Sequence, residues 1–254
     1  MARSTGARVT DVLVLCYHAV SPTWGATLSV TPEALEAQLA KLLRAGWRGT
    51  TFREAVLNPP WTRTLAVTFD DAFLSVLNLA RLILSRLGLP GTVFVPTAFA
   101  SQRQRLRWSG IEQWLETRDA PELDCMSWND LATLVDEGWE VASHSRSHPR
   151  LTGLDDHALR FELEESRREC AECLGVPCDT LAYPYGDADD RVAEFARAAG
   201  YTAAATLSSS LRNAGAHLWP RVGIYHDDPM WRFRLKVNPT IRRLRAHRMW
   251  PAHE

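Results

Sequence analysis

Leu65-Ala66-Val67-Thr68-Phe69-Asp70-Asp71 is the stretch whose reading decides the fold. A short apolar run bounded by turn residues reads as a buried strand, and this one runs straight into two adjacent carboxylates. Behind it, Phe73, Leu74, Leu77, Ala80, Leu84 and Leu87 recur at helical spacing until Gly88 and Pro90 stop the pattern. Asp70 and Asp71 therefore stand at the C-terminal end of a strand, just before a helix. In α/β folds that edge is where sites are built. Neighbouring carboxylates repel and resist desolvation, and a metal ion relieves both costs. The plainer alternative makes Asp71 a helix N-cap and Asp70 a solvated turn residue.

Outward from this stretch, strands and helices alternate along the chain. Strands are expected at Asp11 to Cys16, Trp47 to Thr51, Thr92 to Val95, Trp139 to Ser143, Thr180 to Tyr183, Tyr201 to Leu207 and Leu218 to Ile224. Helices are expected after Thr31-Pro32, at Phe52 to Leu57, after Ser127, at Asp155 to Leu174 and at Asp189 to Ala199, each with a cap residue or an apolar stripe. Residues 98–121, with Arg103, Arg105, Arg107, Trp108 and Trp114, read as an irregular excursion over one face, with a weak helix near Ile111 to Glu116. Short connections between alternating elements imply a mostly parallel sheet covered by helices. The length suits a TIM-like (β/α) barrel in one domain spanning 1–254, with a basic C-terminal tail at 229–254.

The 254 residues carry a net charge of −1, 46% apolar and 23% charged residues, so a sizeable core is available and nothing global points to nucleic acid. Five cysteines cannot all pair. Cys170-x-x-Cys173 lacks a second pair at zinc spacing, so reduced structural thiols are expected. Arg3 and Arg8 precede an apolar run too short for a signal peptide, and no run reaches the ~20 residues of a membrane span. The expected location is cytoplasmic.

Polar clusters share one address, the C-terminal end of an expected strand: His18, Asp70/Asp71, His144/His148 and Pro184/Tyr185. In a parallel barrel these ends converge on one face. On a helical turn, His144 and His148 would point the same way and could bind one ion. With a carboxylate from another strand they would form a His₂Asp site with open positions, which acidifies water and polarises a carbonyl. A buried core histidine is the alternative for His18.

Thr68-Phe69-Asp70-Asp71, His144-Ser145-Arg146-Ser147-His148 and Tyr183-Pro184-Tyr185-Gly186 together resemble the ordered motifs of the polysaccharide deacetylase superfamily, carbohydrate esterase family four. Tyr17-His18-Ala19-Val20 and residues 30–47 resemble the branch acting on poly-N-acetylglucosamine. The resemblance covers roughly 11–225. It implies a distorted (β/α) barrel of about seven parallel strands and a divalent metal, zinc with cobalt or nickel as alternatives. It implies Asp71, His144 and His148 as metal ligands, Asp70 as general base, and Tyr185, beside Pro184, as oxyanion donor. His18 would be the general acid. Gly usually stands where this chain has Ala72, which matters only if φ is positive there. Many relatives carry Arg where this chain has Ala182, so the arginine orienting the base must come from elsewhere. Arg221 is the candidate, with a surface arginine as the alternative.

The implied function is removal of N-acetyl groups from an amino sugar in a glycan or lipid-linked precursor. An O-acetyl or non-sugar amide hydrolase, or a non-catalytic glycan-binding module, are the rival readings. Residues 231–250 hold Arg232, Arg234, Lys236, Arg242, Arg243, Arg245 and Arg248 and no acid, interleaved with Trp231, Phe233, Leu235, Val237, Ile241, Leu244, Met249 and Trp250. The expectation is a covering helix with its apolar side inward and its arginines in water. Peripheral contact with an anionic membrane is the alternative.

Overall fold

The computed structural model describes residues 10–102, 104–247 and 250. Arg3, Arg8, Arg103, Arg248 and Met249 lie outside them. The elements run β1 (Asp11–Tyr17), β2 (Ala19–Val20), β3 (Ser29–Val30), α1 (Pro32–Arg44), β4 (Arg48–Thr50), α2 (Phe52–Leu57), β5 (Arg63–Phe69), α3 (Arg81–Arg86) and β6 (Thr92–Val95). They continue with α4 (Thr97–Gln102), α5 (Trp128–Asp136), β7 (Glu140–Ser143), α6 (Asp156–Leu174), β8 (Thr180–Ala182), α7 (Asp190–Ala198) and β9 (Ala203–Thr206). β10 (Trp219–Pro220), β11 (Val222–Gly223), α8 (Met230–Val237) and α9 (Pro239–Arg245) complete the chain.

The main sheet is ordered β10-β9-β8-β7-β6-β5-β1-β11, with every pairing parallel and β4 added alongside β5. The final stave is one extended segment shared between two neighbours. Its first half, Trp219-Pro220, pairs with Ala205 and Thr206 of β9, and its second half, Val222-Gly223, pairs with Leu15 and Cys16 of β1. Counting that segment once, seven staves form a nearly closed, distorted TIM-like barrel.

Side-chain parity explains how the barrel fills. Val14, Ala66, Phe94, Ala142, Ala182, Ala203 and Ala205 form a small buried cluster with Phe52 and Ala55 of α2. Their neighbours in sequence, Leu13, Leu15, Leu65, Val67, Val93, Val95, Val141, Leu181 and Ala204, belong to the large cluster. Successive strand residues face opposite sides. The small cluster is therefore the barrel interior, narrow enough to be filled largely by alanines. The large cluster lies between the sheet and its helices. Phe52 and Phe94 meet edge to face with centroids 5.4 Å apart.

The cap signals work as the sequence implied. Thr31 accepts from Ala34 N–H, and Ser127 and Asp130 form a reciprocal capping box. Pro239, at the first turn of α9, separates two basic helices. Three expectations need correction. Residues 73–87 do not form one regular helix: Val76–Ala80 is a π turn before α3. That extra residue shifts the inward face, so Val76 and Ile83 are buried while Leu74, Leu77 and Leu87 are only partly so. The excursion at 98–121 begins with a helix, α4, whose leading N–H groups, on Thr97 and Ala98, donate to the carbonyls of Ser145 and Arg146. Those partners lie far away in sequence, so local pattern could not reveal them. Finally, His144 to His148 is not a helical turn; Ser145 and His148 adopt left-handed backbone, with φ of 60° and 62°.

Gly91 tests the packing between sheet and helices. A Cβ there would lie 2.2 Å from the Trp139 ring, which is buried and stacked on Phe69. Gly91→Ala is expected to lower stability by about 1–3 kcal/mol, read as a lower urea midpoint with an unchanged slope.

Candidate active site

The strand ends converge as expected. Asp70 N–H donates to Tyr17 O at 3.0 Å, and His144 N–H to Val95 O at 2.9 Å, which ties neighbouring strand ends into one rim. A cavity of about 420 Å³ opens on that rim, lined by His18, Asp70, Asp71, Trp108, His144, His148, Tyr185 and Tyr225 among others. It adjoins a larger hollow of about 960 Å³ that shares Arg150, Tyr185, Leu207 and Tyr225 with it.

Asp71, His144 and His148 meet inside this cavity. Each imidazole Nε2 lies 3.3 Å from Asp71 Oδ1, an oxygen that is buried and has no hydrogen-bond partner. His144 Nδ1 donates to the Ala182 carbonyl at 2.7 Å, so its Nε2 presents a lone pair toward Asp71. Lone-pair atoms facing one another repel unless a cation sits among them. The donor set, two imidazoles and a carboxylate oxygen mutually within 4.8 Å, fits a divalent ion such as zinc. Burial pushes the Asp71 carboxyl up; where the two imidazoles carry protons in place of an ion, their hydrogen bonds and charge outweigh burial and hold it well below the carboxylate range. Asp71 adopts φ 71°, which aims its carboxylate inward and rules out a helix N-cap role.

Asp70 lies beside this cluster, its Oδ2 4.0 Å from His144 Nε2, and takes its hydrogen bonds from a separate ring of donors. Arg221, fully buried, grips it with both terminal nitrogens: Nη1 donates to Oδ1 at 2.6 Å and Nη2 to Oδ2 at 2.7 Å. Arg221 is held in turn by Thr68 Oγ1 at 3.1 Å, by the Thr206 carbonyl at 3.3 Å, and by the Phe94 ring at 5.4 Å. It is no surface arginine. Ala182 belongs to the same interior cluster as Phe94. Burial raises the Asp70 carboxyl, and the Arg221 and His144 charges more than reverse this, to about 2. Cys16 Sγ donates to Asp70 Oδ2 at 3.4 Å, and burial pushes that thiol up, so it stays protonated.

His18 stands on the Asp70 side, stacked on Tyr225 at 6.4 Å, with its Nδ1 buried and unpartnered. Burial holds its basicity below that of a free imidazole, and Asp71 and Asp70 offset this only in part. Tyr185 follows Pro184 in a single 3-10 turn, at φ 61°. Its ring meets the edge of His148 at 4.7 Å, under the Arg150 guanidinium at 4.4 Å. Trp108, from the excursion, stacks on His148 with centroids 3.9 Å apart.

Sequence reasoning missed three supporting residues. Cys16 shares its strand face with His18, as Thr68 does with Asp70, so strand parity could have placed it. Tyr225 gave no signal. Glu162 sits on the apolar stripe of α6 between Leu159, Leu163 and Ser166, where a carboxylate is out of place. It clamps the histidine loop: Oε2 accepts from Arg146 and Ser147 N–H at 2.8 Å, and Oε1 from Ser147 Oγ at 2.5 Å.

With this geometry in hand, comparison with known proteins is direct. The family model for polysaccharide deacetylase matches residues 58–204. The fold is similar to that of the Streptococcus pyogenes deacetylase PplD in complex with acetate, at 20% identity and a TM-score of 0.74, covering 90% of this chain and 98% of that one. IcaB from Ammonifex degensii gives 23% identity and 0.66, covering 94% and 98%. YxkH of Bacillus subtilis, named as a polysaccharide deacetylase, is 21% identical over 218 residues, 83% of this chain and 70% of its own length.

Removing the Glu162 clamp should loosen the histidines. Glu162→Ala is expected to weaken the affinity for a divalent ion about 10–100-fold, as loss of supporting hydrogen bonds does elsewhere; calorimetric titration of the protein with zinc, cobalt and nickel checks it. Ala72 is fully buried at φ 55°, a conformation costing an alanine about 1–2 kcal/mol. Ala72→Gly should be neutral or stabilising by up to about 1 kcal/mol after the glycine's extra chain entropy is counted; thermal melting reads the sign.

Proposed function

Because the chain belongs to the polysaccharide deacetylase family, we propose that it hydrolyses N-acetyl groups of an amino sugar, within a glycan or a lipid-linked precursor, by metal-assisted water attack. The observation that supports this best is the division of labour between adjacent carboxylates: Asp71 turned toward two imidazole nitrogens, Asp70 turned toward Arg221. Asp71, His144 and His148 would hold the divalent ion, which when bound acidifies water and polarises the acyl carbonyl.

In this reading the protein's own groups carry the protons. Asp70 takes a proton from the attacking water, and Arg221 keeps it ionised and fixes its plane. Tyr185 offers its backbone N–H to the oxyanion that forms as the carbonyl carbon becomes tetrahedral. His18 delivers a proton to the departing amine, since an amide nitrogen leaves poorly without one. Trp108 and Tyr185 brace His148 with their rings and form apolar walls on which a sugar ring can rest.

Acetate release from a panel of N-acetylated and O-acetylated sugars, with metal analysis, tests the reading. His148→Ala should lose bound metal and activity together, and full metal occupancy in that variant would overturn the ligand set. Asp70→Asn should keep its metal and lose about 10²–10⁴-fold in rate. His18→Ala should slow amide substrates far more than activated esters, whose leaving groups need no proton. Equal losses on both would remove His18 from the acid role.

A further inference from the structure

The C-terminal helices do more than cover the barrel. Phe233 and Val237 are buried beneath α8, as a covering helix requires. Yet Trp231 is 62% exposed, Leu244 53%, Leu235 50% and Trp250 40%, and among the described residues the other exposed large apolar side chains are only Leu82 and Phe161. Trp231 and Leu235 lie one helical turn apart, so they share an outward face of α8. Arg234 stands between them in sequence and on the same side.

Cations outnumber carboxylates around these side chains, where the acids are Asp227, Asp228 and Asp11. Lys236 is committed to Asp228 at 2.5 Å, and Arg242 to Asp11 at 3.0 Å. Arg234 and Arg243 have no carboxylate within ion-pair distance among the described residues. Beside α8, a hollow of about 330 Å³ is lined by Lys41 and Arg44 of α1 together with Arg234, Met230, Ala37 and Ala45. It holds three cations and no carboxylate. A protein-binding patch would gather its apolar groups into a core depleted of charge. Here isolated Trp and Leu side chains alternate with unpaired cations, the pattern of a segment lying in a lipid headgroup layer.

We infer that α8, α9 and the end of α1 form a docking surface for an anionic membrane: Trp231 and Leu235 enter the headgroup layer while Lys41, Arg44, Arg234 and Arg243 meet lipid phosphates. The surface borders the reaction site, because Lys236 and Arg245 of the same helices line the hollow beside the cavity. The inference is independent of the proposed hydrolysis, since membrane binding is read without turnover.

Co-sedimentation of the full chain with phosphatidylcholine vesicles, with and without phosphatidylglycerol, decides it. Binding is expected only with the anionic lipid, at low salt, and released by high salt. Each cation near such a surface strengthens binding about fivefold, so Arg234→Glu with Arg243→Glu should weaken it at least about 25-fold. Trp231→Ala with Leu235→Ala should weaken it at least about tenfold. Both variants should melt like the parent protein and release acetate from a small soluble N-acetyl sugar at the parent rate. Equal binding to neutral vesicles, no binding to either, unchanged binding by the variants, or a solution dimer that buries Trp231 would each overturn the inference.

Discussion

The bidentate contact between Arg221 and Asp70 is the interaction on which the remaining architecture depends. Both groups are buried, so each would be a costly uncompensated charge without the other. Breaking one partner of such a pair costs about 3–5 kcal/mol. Arg221 sits at the single residue between β10 and β11, the point where the last stave passes from β9 to β1. The same ion pair thus spans the barrel seam and sets the ionisation of Asp70. Thr68, on the strand that ends in Asp70, and the Thr206 carbonyl of β9 also hold the guanidinium, so its direction is not left to one contact.

Around that fixed point the backbone is bent hard. The non-glycine residues with positive φ among the described residues are Asp71, Ala72, Ser145, His148 and Tyr185, and all lie in the candidate site or within its loops. Left-handed backbone at such residues costs of order 1–3 kcal/mol each and persists only where surroundings over-determine it. Here they do. Glu162 grips the histidine loop from α6, Ser145 Oγ accepts from His148 N–H, and just after the carboxylate pair Leu74 N–H donates to the Asp124 carbonyl and Met126 N–H to the Ala72 carbonyl.

Much of this was legible in the sequence, for definite reasons. The strand-to-carboxylate transition at Phe69-Asp70, the capped helix starts and the parallel alternation are local signals. They put His18, Asp70, Asp71, His144, His148 and Tyr185 on one rim before any coordinates. What local signals lacked was orientation. Helical spacing suggested how His144 and His148 could converge, but a left-handed turn held by a remote glutamate brings them together. The substitution of alanine for glycine at 72 read as mild because φ cannot be seen in a sequence. Arg221 was named only by elimination, and its burial depends on pairings with β9 and β1 that no window of residues contains. In the tail Phe233 and Val237 turn inward as a covering helix requires, while Trp231 stays outside and Arg242 is drawn in to Asp11 instead of being left in water.

The divided final stave also governs the order in which the molecule can be completed during synthesis. Until residues 219–223 are available, β9 and β1 each present an unpaired edge, and Asp70 has no guanidinium to meet. Open edges are templates for pairing with other chains. The emerging polypeptide must therefore carry the β1 edge unpaired through most of its elongation and the β9 edge over its last stretch, and a chain that stops before Trp219 keeps both edges open and leaves Asp70 without its guanidinium.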